Sequence, residues 1–217
     1  MDNPKNNYWT LRLGRLRENL EKNNFEAHVA ENAADAARLV TEDILPRLKP
    51  SSVSWGGSVS FVGTGLYTAL KDRTDLTVLD TYDKSVSPAE SYERRRQALL
   101  TDLFFTGTNA VTESGHLINL DMIGNRVGAL TFGPKNVVVI AGRNKLVLGL
   151  EEGMQRIKDY VAPINTMRLD KKTPCAKTGE CHDCNSPDRI CNTWTITEKS
   201  FPKGRTIVIL VNEDLGY

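Results

Sequence analysis

The chain has 217 residues, of which 40% are hydrophobic and 25% are charged, a composition that fits a globular α/β domain with a full apolar core. Its 28 basic and 27 acidic residues nearly cancel, which disfavours nucleic acid as the main partner. No apolar run reaches the roughly 18 residues that span a bilayer, and the polar start lacks the apolar core of a secretory signal. We therefore expect a cytoplasmic protein without a membrane span.

The first half of the chain predicts helices that alternate with short strands. The helices begin at capping residues, Asn32 for one and Ser87 for another, and Pro46 is expected to stop the former. The predicted elements are helices over 8–23, 32–44, 58–71 and 87–100, and strands over 52–55 and 76–80.

The second half is richer in strands. The predicted elements are strands over 102–111, 116–121, 126–132, 136–142, 193–198 and 206–211, and one helix over 149–160. The run at 137–141 is apolar throughout, as in a strand covered on both faces. Helices that alternate with strands and then give way to consecutive strands predict an α/β fold, with a mixed sheet between helical layers.

A glycine turn follows the first predicted strand. Gly56, Gly57 and Ser58 separate that strand from a helix, and glycine lets a backbone turn sharply and approach a ligand closely. Exposed amides at the helix start would suit a phosphate or carboxylate. The alternative is a tight strand-to-helix turn in which Ser58 only caps the helix.

A second polar segment lies at the end of the strand predicted at 102–111. Small polar residues at the end of a strand suit ligand recognition, and Glu113 beside a glycine turn suits a nucleophile, a general base or a metal ligand. Glu113 as an exposed turn residue is the alternative, and solvated loop positions are the alternative for the polar residues near it. The candidate ligand-binding residues here are Thr106, Gly107, Thr108, Asn109, Gly115 and Asn125.

All four cysteines lie between residues 175 and 191, with the spacing Cys-x5-Cys-x2-Cys-x6-Cys. In a reducing compartment such a group favours metal ligation over disulfides. We predict a metal centre that is either zinc or an iron–sulfur cluster, since four thiolates suit both and the spacing matches neither a ferredoxin nor a zinc ribbon. Its predicted ligands are Cys175, Cys181, Cys184 and Cys191. Free thiols or two disulfides are the alternatives.

Three stretches, WGGSVS, TGTNAVTESGHLINLD and PKNVVVIAGRNKLV, resemble the lactate utilization (LUD) domain family. The resemblance runs from about Tyr8 to Tyr217, and the cysteine loop and the ending IVILVNEDLGY resemble a short, single-domain branch. It implies one domain over 1–217, with a helical segment at 8–45 and a cysteine-rich loop at 174–192.

The family resemblance also implies a fold like that of glucosamine-phosphate isomerase, ribose-phosphate isomerase and coenzyme A transferases. Within that resemblance, Glu113 of this chain is similar to the glutamate that is the nucleophile of coenzyme A transferases. The function it implies is lactate or organic-acid utilization, with a small anionic metabolite bound at the sheet edge. Two alternatives remain: a non-catalytic subunit of a redox complex, and an acyl-transfer or phosphosugar enzyme with a structural zinc. The possible protein partners are a redox partner subunit and further copies of the same chain in a homo-oligomer. The ferredoxin motifs of the lactate operon's iron–sulfur subunit are absent.

Overall fold

The computed structural model describes residues 4–217, so the first three residues of the predicted 1–217 domain lie outside the described part. Within that range a six-stranded parallel sheet has the order β1-β10-β7-β4-β2-β3, and a four-stranded sheet has the order β8-β5-β6-β9. The strands are β1 (Glu26–Ala30), β2 (Ser52–Trp55), β3 (Thr77–Leu79), β4 (Leu103–Gly107), β5 (Ala110–Thr112), β6 (Leu117–Asp121), β7 (Asn136–Gly142), β8 (Leu146–Val147), β9 (Thr193–Thr197) and β10 (Thr206–Val211).

Helices cover both faces of the parallel sheet, and α8 packs against the smaller sheet. They are α1 (Pro4–Lys22), α2 (Ala33–Leu39), α3 (Leu45–Leu48), α4 (Val59–Gly63), α5 (Leu66–Leu70), α6 (Pro88–Gln97), α7 (Asn125–Thr131), α8 (Leu150–Arg156), α9 (Ala162–Arg168) and α10 (Pro174–Thr178). The predicted α/β class with flanking helices is confirmed. The main sheet is wholly parallel, and the mixed pairing lies in the smaller sheet.

Alternate residues of the central strands divide between two apolar cores. On β7, Val138 and Ile140 face the core formed with α2, α4 and α5, whereas Val137 and Val139 face the core formed with α1 and α7. Leu13, Leu16 and Leu20, the leucines that predicted α1, lie in the second core. A strand buried on both faces explains the continuous apolar run in the sequence.

Two predicted elements are wrong in detail. Pro46 does not stop the second helix, because a π-helical turn over Val40–Ile44 leads into α3 and places the proline in its first turn. The π-helical turn, in which the Leu45 amide donates to Val40 O, accommodates within this continuous helical stretch a proline that has no amide hydrogen to donate. The helix predicted over 58–71 is interrupted at Gly65, whose φ of 81° begins α5.

The strand predicted at 126–132 is a helix, α7. Its apolar residues gave a strand pattern, but two local features favour the helix. Gly124 adopts φ 87° at its start, and the Asp121 carboxylate accepts hydrogen bonds from the amides of Arg126 and Val127 at 3.1 and 3.2 Å. A carboxylate that satisfies first-turn amides is a standard helix cap.

Candidate functional site

All six strands of the parallel sheet end at one edge, where open α/β sheets bind ligands. The turn after β2 and the segment after β4 therefore meet there. The predicted turns are in contact: a side-chain carbon added at Gly107 would lie 2.7 Å from Ser58 Oγ. The structure thus brings together the two segments that the sequence singled out.

The glycine turn is held by a tyrosine from the strand beyond it. The Tyr82 hydroxyl donates to the Gly56 carbonyl at 2.5 Å and accepts from the Ser58 amide at 3.0 Å. Burial raises the pKa of Tyr82 to about 12, so it remains a neutral donor. Ser58 Oγ also accepts from the Phe61 amide at 3.1 Å, which is the helix cap of the alternative interpretation. Gly57 is exposed.

The polar residues after β4 are largely engaged inside the protein. Thr106 and Thr108 are buried, and the Thr108 hydroxyl donates to the carbonyls of Ala110 and Ile118 at 2.9 and 3.1 Å. Asn109 Oδ1 accepts from the Leu120 amide at 2.9 Å. These contacts fix the path of the chain into β5, so their first role is structural.

Arg126 is the buried centre of this edge. Its Nη1 donates to Gly107 O at 3.2 Å and to Asn119 Oδ1 at 2.6 Å. Its Nη2 donates to Asn109 Oδ1 at 3.0 Å and to Leu120 O at 3.1 Å. The guanidinium is 6% exposed, and Asp121 lies 3.9 Å from its Nε. Arg126 therefore joins β4, the segment that leads into β5, and β6.

Two further cations at the edge were not predicted. Lys145, just after β7, is 5% exposed, and burial together with Arg156 and Arg126 lowers its pKa to about 7. Arg156, from α8, donates to Asn109 O at 2.9 Å and to Asn144 O at 3.0 Å. Within residues 4–217 neither cation forms an ion pair. The one sequence feature that could have indicated them is the position of Lys145 shortly after the apolar strand at 136–142.

Glu113 lies apart from the glycine turns, against α1. It is ion-paired with Arg12, and its carbonyl accepts from Asn19 Nδ2 at 2.8 Å. Gly115 follows with φ 84°, and an added side-chain carbon would meet the α1 backbone at 3.0 Å. No hydrogen bond or ion pair of the described residues joins Glu113 to Gly56, Ser58 or Gly107. Asn125 begins α7, and its side chain has no hydrogen-bond partner among them.

The cysteine loop lies at the end of the smaller sheet. All four cysteines line one cavity of about 20 Å³, together with Lys158 and Arg189. None forms a disulfide, and Cys175 is the buried one, with Thr173 Oγ1 3.2 Å from its Sγ. Burial raises the pKa of the Cys191 thiol. All four cysteines border this cavity, but their sulfurs are not clustered as a set of metal ligands.

The cavity does not yet have the form of a ligand set. Among residues 4–217 no group of three or more His, Cys, Asp or Glu side chains is arranged to hold a metal ion. Lys158 and Arg189 place two positive charges beside the cavity. Both are ion-paired with Asp183, whose Oδ1 lies 2.9 Å from Lys158 Nζ and 3.0 Å from Arg189 Nη2. The metal centre therefore stays a prediction.

Among residues 4–217, no helix is long and apolar enough to cross a membrane. A solved structure described as a DUF162 family protein from Deinococcus radiodurans is similar, with 13% sequence identity and a TM-score of 0.50 over 94% of this chain and 97% of that chain. At that identity the likeness supports the fold alone. No curated protein matches the chain. The LUD domain model matches residues 13–211, nearly the whole sequence, and the chain therefore belongs to the LUD domain family, which is linked in general to lactate utilization.

Proposed function

We propose that this protein binds a small anionic metabolite, a carboxylate or a phosphate of organic-acid metabolism, at the carboxyl edge of the parallel sheet. The observation that carries the proposal is the excess of positive charge at this edge. Arg126 and Arg156 lie close enough to Lys145 to lower its pKa. Among residues 4–217, Asp121 is the one Asp or Glu side chain within ion-pair distance of any of the three, and Lys145 Nζ also donates to an oxygen of Tyr217. Buried charge is costly unless it is paired, so a bound anion would stabilise this edge.

The proposed binding groups differ in how many of their hydrogen-bond donors already have acceptors within the protein. All four Nη hydrogens of Arg126 have acceptors, so that residue supplies charge and rigidity rather than direct contacts. Arg156 and Lys145 keep unused donors. Asn119 Nδ2 is buried without a partner among the described residues and is a further donor beside Arg126.

The test is calorimetric titration of the full chain with L-lactate, pyruvate, acetate and inorganic phosphate at low salt. Uncharged lactamide serves as the control ligand, and Lys135→Met, which removes an exposed lysine paired with Asp102 away from the site, as the control variant. We expect saturable binding of at least one anion, no binding of lactamide, and no change in Lys135→Met. If no anion binds, or if lactamide binds equally well, the proposal is wrong.

The catalytic role of Glu113 stays a prediction, and the acyl-transfer alternative gives it a direct test. If Glu113 is a nucleophile, acetyl-CoA and the carboxylate exchange to give acetate and an enzyme glutamyl–CoA thioester. Intact-mass measurement after incubation with acetyl-CoA should then show a coenzyme A adduct that Glu113→Gln abolishes. Glu151→Gln, at an acidic position on α8, is the matched control. No adduct in the wild-type chain argues against acyl transfer.

We also propose that the cysteine cavity binds one zinc ion. Four cysteine thiols that border one cavity suit a tetrahedral zinc site, and they would have to move closer together to bind the ion, because among residues 4–217 no three of them are arranged to hold a metal. A zinc tetrathiolate carries net negative charge, and Lys158 and Arg189 would offset it. Function in this case would be structural, since a closed four-cysteine site leaves no open coordination position.

Metal analysis and a visible spectrum of anaerobically purified protein test the zinc proposal. We expect about one zinc per chain and no absorbance from iron–sulfur bonds. The double variant Cys181→Ser, Cys184→Ser should lose the metal, whereas His182→Ala should keep it, because the ligand set needs no histidine. Brown protein with iron, or colourless protein without metal, would contradict the proposal.

A further inference from the structure

The three most exposed large hydrophobic side chains of residues 4–217 lie at the amino edge of the parallel sheet, opposite the candidate site. They are Leu100, Phe132 and Phe201, which are 86%, 85% and 89% exposed, and we call them the amino-edge patch. Leu100 precedes β4, Phe132 precedes β7 and Phe201 precedes β10. Because these strands are neighbours in the sheet and run parallel, the segments before them meet at one edge.

Direct contacts hold the three segments against one another. Arg205, in the segment before β10, donates to Pro134 O at 3.2 Å, so that segment is fixed to the one before β7. A side-chain carbon added at Gly133 would lie 2.8 Å from Leu99 O, so the segment before β7 packs against the one before β4. The amino-edge patch is therefore one region of the surface.

The backbone that carries Phe201 is fixed at both ends, although the side chain itself faces water. The Ser200 amide donates to Asn23 O at 2.9 Å, and the Gly204 amide donates to Asn24 O at 2.8 Å. A single exposed hydrophobic side chain is ordinary on a protein surface, whereas a group of them at one place indicates an interaction surface. The fold thus presents the patch on an ordered support.

Positive charge surrounds the amino-edge patch. The cations of the segments 98–102, 132–135 and 198–205 are Lys135, Lys199, Lys203 and Arg205, and their acids are Asp102 and Glu198. Asp102 is paired with Lys135, so the excess cations lie in the segment that carries Phe201. The adjacent segments before β1 and β2, 23–25 and 49–51, add Lys49 and no acid. Within residues 4–217 neither Lys199 nor Lys203 forms an ion pair, and both are exposed.

We propose that the amino-edge patch docks on an anionic membrane surface, with its three apolar side chains in the interface and the lysines beside Phe201 at the lipid phosphates. Apolar side chains and basic residues together are what a peripheral protein needs to bind such a surface. A second copy of the chain fits less well, because self-association through the patch would bring its excess cations close to those of the other copy. Docking here leaves the carboxyl edge open to solvent, and it does not depend on the proposed anion site.

The experiment is flotation of the full chain with two kinds of vesicle, pure phosphatidylcholine and a mixture of phosphatidylcholine with phosphatidylglycerol. At low salt we expect the wild type to bind the anionic vesicles roughly tenfold more strongly than the neutral ones. High salt should weaken binding to the anionic vesicles several-fold, because it screens the attraction between the lysines and the phosphates. Equal binding to both kinds of vesicle would overturn the proposal.

Two double variants separate the apolar from the charged contribution. Phe132→Ser with Phe201→Ser should weaken binding to the anionic vesicles by about tenfold or more, and Lys199→Glu with Lys203→Glu should do the same. Leu148→Ser is the matched control, because Leu148 is 67% exposed but lies after β8, outside the patch, and this variant should bind as the wild type does. Circular dichroism establishes that each variant is folded.

The proposal is overturned if the wild type does not bind anionic vesicles, or if the double phenylalanine variant binds them as strongly as the wild type. Analytical ultracentrifugation without lipid tests the other occupant. A wild-type chain that is monomeric supports the membrane as the partner. A dimer that the double phenylalanine variant converts to a monomer would assign the patch to a second copy of the chain and would overturn the proposal as well.

Discussion

The sheet edge and the cysteine loop place reactive groups under opposite conditions. At the edge, the Arg126 guanidinium is bound by four oxygens from β4, β5 and β6 and their connecting segments. In the loop, the segment 174–192 contains one five-residue helix, α10, and its cysteines form no disulfide. The edge is thus organised by its own hydrogen bonds, whereas the loop depends more on what its cysteines bind.

This contrast follows from the cost of burial. An arginine cannot lose its charge, so a fold that buries it must supply acceptors from the chain itself. A cysteine can stay a neutral thiol and be buried as a small apolar group at little cost. The buried arginine at the edge therefore requires hydrogen-bond acceptors from the protein, whereas the cysteines of the loop do not require partners. The substitutions below test that difference.

The largest effect is expected from Arg126→Met. The substitution removes four hydrogen bonds to acceptors at this edge, of which Asn109 Oδ1 keeps the Leu120 amide as a donor, and this should lower the free energy of unfolding by about 3–5 kcal/mol. Urea denaturation followed by circular dichroism measures it. Arg205→Met is the matched control, because Arg205 also donates to three backbone carbonyls but is only partly buried. Its cost should be about 1–2 kcal/mol. Equal losses in the two variants would contradict the special position of Arg126.

Lys145→Met should have the next largest effect, in the opposite direction. Folding lowers the pKa of Lys145 from its usual 10.5 to about 7, so the folded state disfavours the ammonium. The penalty is fully present below pH 7, and wild-type stability rises from pH 7 towards pH 10 because the unfolded chain holds the extra proton. We expect Lys145→Met to be more stable by about 2–4 kcal/mol at pH 6, with a difference that shrinks as the pH rises. A difference independent of pH would contradict the charge argument.

The sequence predicts most of the scaffold because local signals and tertiary packing agree there. The Asn32 cap is confirmed by its bond to the Asp35 amide at 2.8 Å, and the apolar run of β7 is a central strand. Where packing overrides the local pattern, the prediction fails. Residues 126–132 have the composition of a strand, but the Asp121 carboxylate and the conformation of Gly124 fix a helix.

The site was harder to predict, because its cations are dispersed along the chain. Gly56, Ser58 and Gly107 mark the edge at which these cations lie, since glycine turns after neighbouring parallel strands meet by topology. Lys145 and Arg156 become neighbours only through the packing of α8 against β5 and β8, which has no short-range signature. Asn109 was predicted as a ligand-binding residue, but its side chain is engaged by Arg126 and the Leu120 amide.

Arg189→Met should loosen the cysteine loop without a large effect on the whole protein. Arg189 donates to the carbonyl of Cys191 at 2.9 Å and to that of Cys184, so it holds two cysteines near the cavity. Its loss should cost about 1–2 kcal/mol of local stability and raise the rate of thiol modification by roughly 5–30-fold. Reaction of the native protein with a thiol reagent measures that rate, and Arg168→Met, on the surface of α9, is the control. An unchanged rate would mean that the loop is as well organised as the edge.

The smallest effects come from a pair of glycines that differ only in surroundings. Gly216 has φ 68° and touches Ser60, whereas Gly14 lies within α1 and has nothing within 4 Å of an added side-chain carbon. Gly216→Ala should lower the free energy of unfolding by about 1–2 kcal/mol, because of backbone strain and the displaced hydroxyl. Gly14→Ala should raise it by about 0.5–1 kcal/mol, because alanine has the higher helix propensity. Thermal denaturation of the two variants and of the double variant separates these contributions, which should add because the sites are independent. If Gly216→Ala is neutral, Leu215–Tyr217 is not held tightly against the edge, and the edge is less well organised there than its hydrogen bonds indicate.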